Sequence, residues 1–200
     1  MAIIVRCFIA IVGIIYSLSA SAQSINPNLW KTHTDKEFGF RISYPNEWKV
    51  IPPKGPNVRI SVSPISGPGN CNVVARLMVD LRGMSQQQLN QEIEGMALDD
   101  ASWSGYLGMP SSQFRMIERR RAKIINVPAI YGLVEANIET LEGAYFGKKA
   151  VALTFTPGVA WTVTCGVSTN KQQEGRIRYD ELQPYLAKIM GSFIFINSSP

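Results

Sequence analysis

Histidine is almost missing from this chain: one residue, His33, in 200. A Ser–His triad or a Cys–His dyad needs an imidazole held rigidly beside its nucleophile. His33 lies instead in a polar stretch, Gln23 to Glu37, that reads as a loose N-terminal arm, so it reads as an exposed polar residue. Cysteine is scarce too, at three residues. One histidine and so few thiols disfavour a zinc site, which wants four nitrogen or sulfur ligands. No Gly-x-Ser-x-Gly elbow, EF-hand spacing or phosphate-binding glycine loop occurs. No cofactor, no metal and no enzymatic activity are therefore expected. Long apolar runs are confined to the first 22 residues, and nothing later is long and apolar enough to cross a membrane. Charge is mild, with 20 basic and 15 acidic residues. That balance is compatible with an acidic partner or an anionic envelope surface and requires neither.

What is present begins with Met1 to Ala22. Arg6 is followed by an apolar run from Cys7 to Tyr16, and the stretch closes on Ser19-Ala20-Ser21-Ala22. This is the three-part pattern of a cleavable secretory signal. The alternative is a membrane anchor, but the run falls short of the roughly 20 apolar residues a spanning helix needs, and the small-x-small ending favours cleavage. The expected product is periplasmic or secreted and has no transmembrane anchor. Nucleic acid is not an expected partner in such a compartment. Cleavage also removes Cys7 and leaves Cys71 and Cys165. An even pair in an oxidising compartment points to one disulfide. Both residues share the phase of the apolar face of a strand, so the other reading is two buried free thiols.

Phe38 to Tyr44 alternates, with apolar residues on even positions, as a half-buried strand does. Pro45-Asn46-Glu47 reads as a turn into a short strand, Trp48 to Ile51. Further strands are expected over Val58 to Ser63 and Cys71 to Leu81. Ser85 and Gln88 then form a capping box, opening a helix of about four turns with Leu89, Ile93, Met96 and Ala97 on one face. Asp99 to Gln113 reads as a Ser/Gly-rich loop. Four strands follow, over about 114–125, 130–140, 145–156 and 160–168. The last helix is expected to be capped by Asp180, with Pro184 in its first turn and Leu182, Tyr185, Leu186, Ile189, Met190 and Phe193 in one stripe. Consecutive strands with short turns plus two amphipathic helices predict a single α+β domain over residues 38–196, an antiparallel β-sheet flanked by helices.

The segment Phe38-Gly39-Phe40-Arg41-Ile42-Ser43-Tyr44-Pro45-Asn46-Glu47-Trp48-Lys49-Val50 resembles the opening of PsbP-like domains. The chain end is similar as well, with an amphipathic helix leading into Gly191-Ser192-Phe193-Ile194-Phe195. The resemblance spans most of Phe38 to Phe195. It implies the PsbP-like, Mog-type α/β/α sandwich, here as an exported bacterial member, with Tyr44 and Trp48 anchoring a tight hairpin. Members of that group are mostly non-enzymatic binding or assembly factors, and no family-wide catalytic residue exists to carry over.

Three residue sets are candidates for a site. On an extended strand Arg115, Arg119, Arg121 and Lys123 project from one face. That face is either a patch for an acidic protein or an anionic head group, or a charged sheet surface paired with Glu135 and Glu139 on the next strand. Trp103 and Tyr106, on the Ser/Gly loop, either anchor a partner or fold back as a satellite core. Glu135 and Glu139 are the one conceivable carboxylate pair for hydrolysis, against a solvated sheet face. The expected function is an exported, non-enzymatic binding or accessory protein of the cell envelope, whose partner is an envelope protein or an anionic envelope component. The alternatives are a periplasmic inhibitor or immunity-type protein acting through the basic face, and a small envelope hydrolase.

Overall fold

The computed structural model describes residues 29–140 and 143–196. The expected leader, Met1 to Ala22, lies outside the described residues, as do the first residues of the expected arm. Strands β1 (Trp30–Asp35), β2 (Phe40–Pro45), β3 (Trp48–Ile51), β4 (Val58–Pro64) and β5 (Gly69–Leu77) come first. Helices α1 (Gln86–Gly95) and α2 (Asp100–Leu107) follow, then β6 (Phe114–Ile124), β7 (Val127–Thr140), β8 (Gly143–Thr156) and β9 (Val159–Thr169). Helix α3 (Gln172–Gly191) and the short β10 (Ile194–Phe195) close the domain.

The main sheet has seven strands in the order β3-β4-β5-β9-β8-β7-β6. Every pairing in it is antiparallel. It consists of two meanders, β3-β4-β5 and β6-β7-β8-β9, that meet along β5 and β9. The disulfide Cys71–Cys165 bridges this seam, joining residues that face each other directly across it. Both cysteines point inward and are buried, as their phase predicts. A smaller sheet, β1-β2-β10, lies on the same side as α3. Phe40, Ile42, Tyr44, Trp161, Val163, Val167, Tyr179, Leu186, Ile189 and Phe193 fill that side. Helices α1 and α2 cover the opposite face, around Ile93, Trp103, Ile130, Val134 and Val151. The expected α+β fold, an antiparallel sheet flanked by helices, is the observed one.

Four local expectations are corrected. Trp30–Asp35 is a strand, not a loose arm. It pairs with β2 along its whole length, Thr32 and Ser43 share a hydroxyl hydrogen bond of 2.9 Å, and His33 packs beside the Phe40 ring. β2 and β3 do not form a hairpin, because Tyr44 and Trp48 sit on either side of a switch between the two sheets. Asp99–Leu107 is not loop: Asp99 caps α2 by accepting from the Ser102 amide at 2.9 Å, and Gly108 ends the helix in the left-handed conformation. α3 begins at Gln172 rather than at Asp180, which leaves Pro184 well inside it.

Candidate ligand cleft

A β-bulge between Met116 and Glu118 decides what strand β6 presents. One extra residue on one strand reverses the alternation beyond it. Arg115 therefore faces the α3 side, whereas Arg119 and Arg121 face α1 and α2, so the four expected basic residues do not share a face. Arg115 donates to Glu135 Oε2 at 2.8 Å, as cross-strand pairing predicts. Arg119 donates to the Leu98 carbonyl at 3.0 Å and pairs with Asp100. Arg121 spans the end of α1, donating to the carbonyls of Ile93 and Met96 at 2.8 Å each. A cation at the carbonyls of a helix C-terminus complements the helix end, here adding to the Met96 amide that the Ile93 carbonyl already accepts at 3.3 Å. Lys123 is exposed near the end of β6.

Trp103 is fully buried and Tyr106 packs against it edge-on, so this pair is part of the core and Trp103 is not an exposed anchor. The Tyr106 hydroxyl donates to the Ala97 carbonyl at 3.0 Å.

Glu135 is clamped rather than free. Arg176 of α3 grips it with two bonds, Nε to Oε1 at 3.0 Å and a terminal nitrogen to Oε2 at 2.7 Å. Burial alone would push its carboxyl up, but the hydrogen bonds and charges of Arg176 and Arg115 outweigh that and hold it below its ordinary value. A general acid needs a carboxyl that is still protonated near neutrality, and Glu135 is the reverse. Glu139 is exposed. The Glu135/Glu139 pair does not form an acid–base site. Among the described residues no cluster of three or more metal-ligating side chains occurs.

A more enclosed concave site lies beside α3. α3 runs over the middle of the main sheet, while β6 and β7 extend past it. The gap is a cleft of about 430 Å³. Its floor is Ala129, Ala150 and Ala152, and one wall is Tyr179, Gln183, Leu186, Ala187 and Met190 of α3. Small floor residues are what leave it open. The end toward the start of α3 is polar. There the Arg120 guanidinium lies 4.4 Å from the centre of the Tyr131 ring, and its Nε donates to Glu118 at 2.8 Å. Burial, and then the Glu118 charge, push the Tyr131 hydroxyl up, and Arg120 offsets part of this. Burial pushes Tyr179 up further, with Tyr131, Asp180 and Glu118 adding to it. Both phenols stay neutral O–H groups, able to donate hydrogen bonds but unsuited to act as bases. The other end, lined by Ile124, Ile125, Met190 and Phe193, is apolar.

Ile125 forms the lip of that apolar end. It is 53% exposed and adopts φ 56°, the left-handed region. A β-branched side chain is strained there, and glycine or asparagine would relieve it. The residues that define this cleft, Arg120, Tyr131, Tyr179, Gln183 and Ile125, do not stand out in the sequence. The available signal was alanine recurring at 150 and 152 on one face of a strand.

No family model matches the chain, and no curated protein matches it. Among solved structures, it superposes on a variant of protein Mog1 with a TM-score of 0.51 at 11% identity, over 85% of this chain and 97% of that one. The chain has the PsbP/Mog-type fold. Cyanobacterial PsbP (CyanoP) from Synechocystis sp. PCC 6803 aligns at TM-score 0.49 and 14% identity, over 88% of this chain and 98% of that chain. LpqN, involved in cell envelope biogenesis of Mycobacterium tuberculosis, aligns at 0.45 and 6%, over 84% and 91%. At these identities the shared property is the fold alone.

Proposed function

We propose that this chain is an exported, non-enzymatic binding protein of the cell envelope, and that the cleft beside α3 is its binding site. The observation that carries the reading is the cleft itself, a pre-formed concavity with a polar end, an apolar end and a strained, exposed isoleucine at its lip. The positive φ of Ile125 is what the two-residue turn between β6 and β7 requires, and the concavity with its polar and apolar ends is what marks a binding site. Export is supported by the leader pattern and by the Cys71–Cys165 bridge. The binding rather than catalytic character is supported by the clamped Glu135 and by phenols held neutral. In this reading Arg115, Arg119 and Arg121 hold strands and helices together, while Arg120 serves the cleft.

The test has two parts. Expressed with its leader, the protein should be released by osmotic shock with an intact mass that begins at Gln23. A photo-crosslinker placed at Ile125 should capture envelope material in intact cells, whereas one at Glu92 on exposed α1 should not. An uncleaved cytosolic product, or equal capture from both positions, would remove the proposal.

A further inference from the structure

We infer that the cleft takes a single-chain amphiphile with an anionic head, its hydrocarbon chain lying between α3 and the β6–β8 floor and its head at Arg120. The inference rests on the cleft being the binding site and names its ligand class.

The apolar part of the occupant follows from what the floor lacks. β6, β7 and β8 exchange their backbone hydrogen bonds with one another, and α3 bonds its own backbone apart from the Asp180 carbonyl, to which Pro184 offers no amide. The one free strand edge here, on β6, points outward in the plane of the sheet and away from the cleft. A peptide lying in the cleft would leave its backbone groups without partners, at a cost comparable to lost hydrogen bonds. A hydrocarbon chain carries no such groups. It meets Ala129, Ala150, Ala152, Leu186, Met190 and Phe193, all apolar. From Tyr179 to Met190 the wall advances about 16 Å at helical rise, which suits an extended chain rather than a compact ring.

The head follows from the polar end. Arg120 and Glu118 face the polar end, whereas Lys123, two residues beyond Arg121, shares Arg121's face, so the preference for an anion rests on Arg120 and the donors beside it. The Arg120 guanidinium is held in place by the Tyr131 ring and by Glu118, so its orientation is set before a ligand arrives. The neutral Tyr131 and Tyr179 hydroxyls and the Gln183 amide add hydrogen-bond donors around that charge. An anionic head with several acceptor oxygens satisfies them together, and a cationic head meets a like charge. The lip at the opposite end, half-buried Ile124 and exposed Ile125, gives the chain terminus an apolar port.

The test is calorimetric titration of the leader-free protein with its disulfide intact. The probe is dodecyl phosphate below its micelle threshold, with dodecyltrimethylammonium and inorganic phosphate as comparisons. Dodecyl phosphate should bind one per chain, at least tenfold tighter than the cationic amphiphile, and inorganic phosphate should show no saturable binding. Arg120→Gln should weaken dodecyl phosphate about tenfold, and Ala152→Leu should abolish its binding. Methyl shifts at Ala129, Ala150 and Ile124 place the ligand independently of either variant and do not depend on Ala152→Leu folding. Equal binding of both amphiphiles, or shifts confined to other surfaces, would overturn the inference. If dodecyl phosphate fails to bind while Ile125 still captures envelope material in cells, the cleft remains a binding site and the ligand class is wrong.

Discussion

Glu135 shows how far single residues could be read ahead of the structure. Its partnership with Arg115 follows from two adjacent strands with facing charges. Its stronger partner, Arg176, does not, because the polar run Gln172-Gln173-Glu174-Gly175 hides the start of α3. Tertiary contacts hold that start instead, with Gly175 packed so closely on Phe146 and Thr169 that a Cβ there would sit 2.5 Å from the Phe146 ring. Because the folded carboxyl of Glu135 is lowered, it favours the folded state above the ordinary carboxylate range. That contribution fades as pH falls through the range toward the depressed folded value. Glu135→Gln should cost about 1–3 kcal/mol at neutral pH, and urea melts against pH should show a shallower loss of stability on the acid side than the parent shows. Gly132 offers a second residue-level test. A Cβ at this position would lie 2.7 Å from both the buried Trp103 ring and the Met116 methyl. Gly132→Ala should therefore destabilise by about 1–3 kcal/mol through overpacking, measured by the same melts, and should shift the Trp103 fluorescence.

At the scale of elements, periodicity found the strands that alternate cleanly and the helix that opens on Ser85, whose capping box is present. It missed β1, where Thr32 and Thr34 carry strand propensity that the surrounding polar residues mask, and α2, where serines and glycines obscure a cap at Asp99. It could not find the bulge at Ile117, since a one-residue slip in pairing leaves no mark on composition. That slip turns an apparent basic face into two sets of structural contacts. Arg121 is the clearest consequence. Arg121→Met keeps the length of the side chain but removes the guanidinium donor from the Met96 carbonyl and one of two donors from the Ile93 carbonyl. It should lower stability by about 0.5–1.5 kcal/mol and speed amide exchange in α1 more than in α3. Equal acceleration in both helices would contradict a local capping role.

For the whole molecule, the two meanders are joined at one seam, and the disulfide crosses it between residues 94 apart in sequence. Closing a loop of that length is worth up to about 4–5 kcal/mol in the chain-entropy account. Reduction should expose two labelled thiols and lower the urea midpoint by a corresponding amount. Thiols that label without reductant would contradict the bridge. The fold class and the disulfide pair were legible because they rest on alternation and on cysteine phase. The cleft was not, because it arises from where α3 stops covering the sheet, a property of packing that no local pattern carries. The claim that most needs testing is that this uncovered strip is where the protein engages the envelope. Hydrogen–deuterium exchange of the protein bound in its native envelope, compared with the free protein, tests it directly. The account predicts protection confined to residues 118–131 and 179–191. Protection on α1 and α2, with those two segments unchanged, would contradict it.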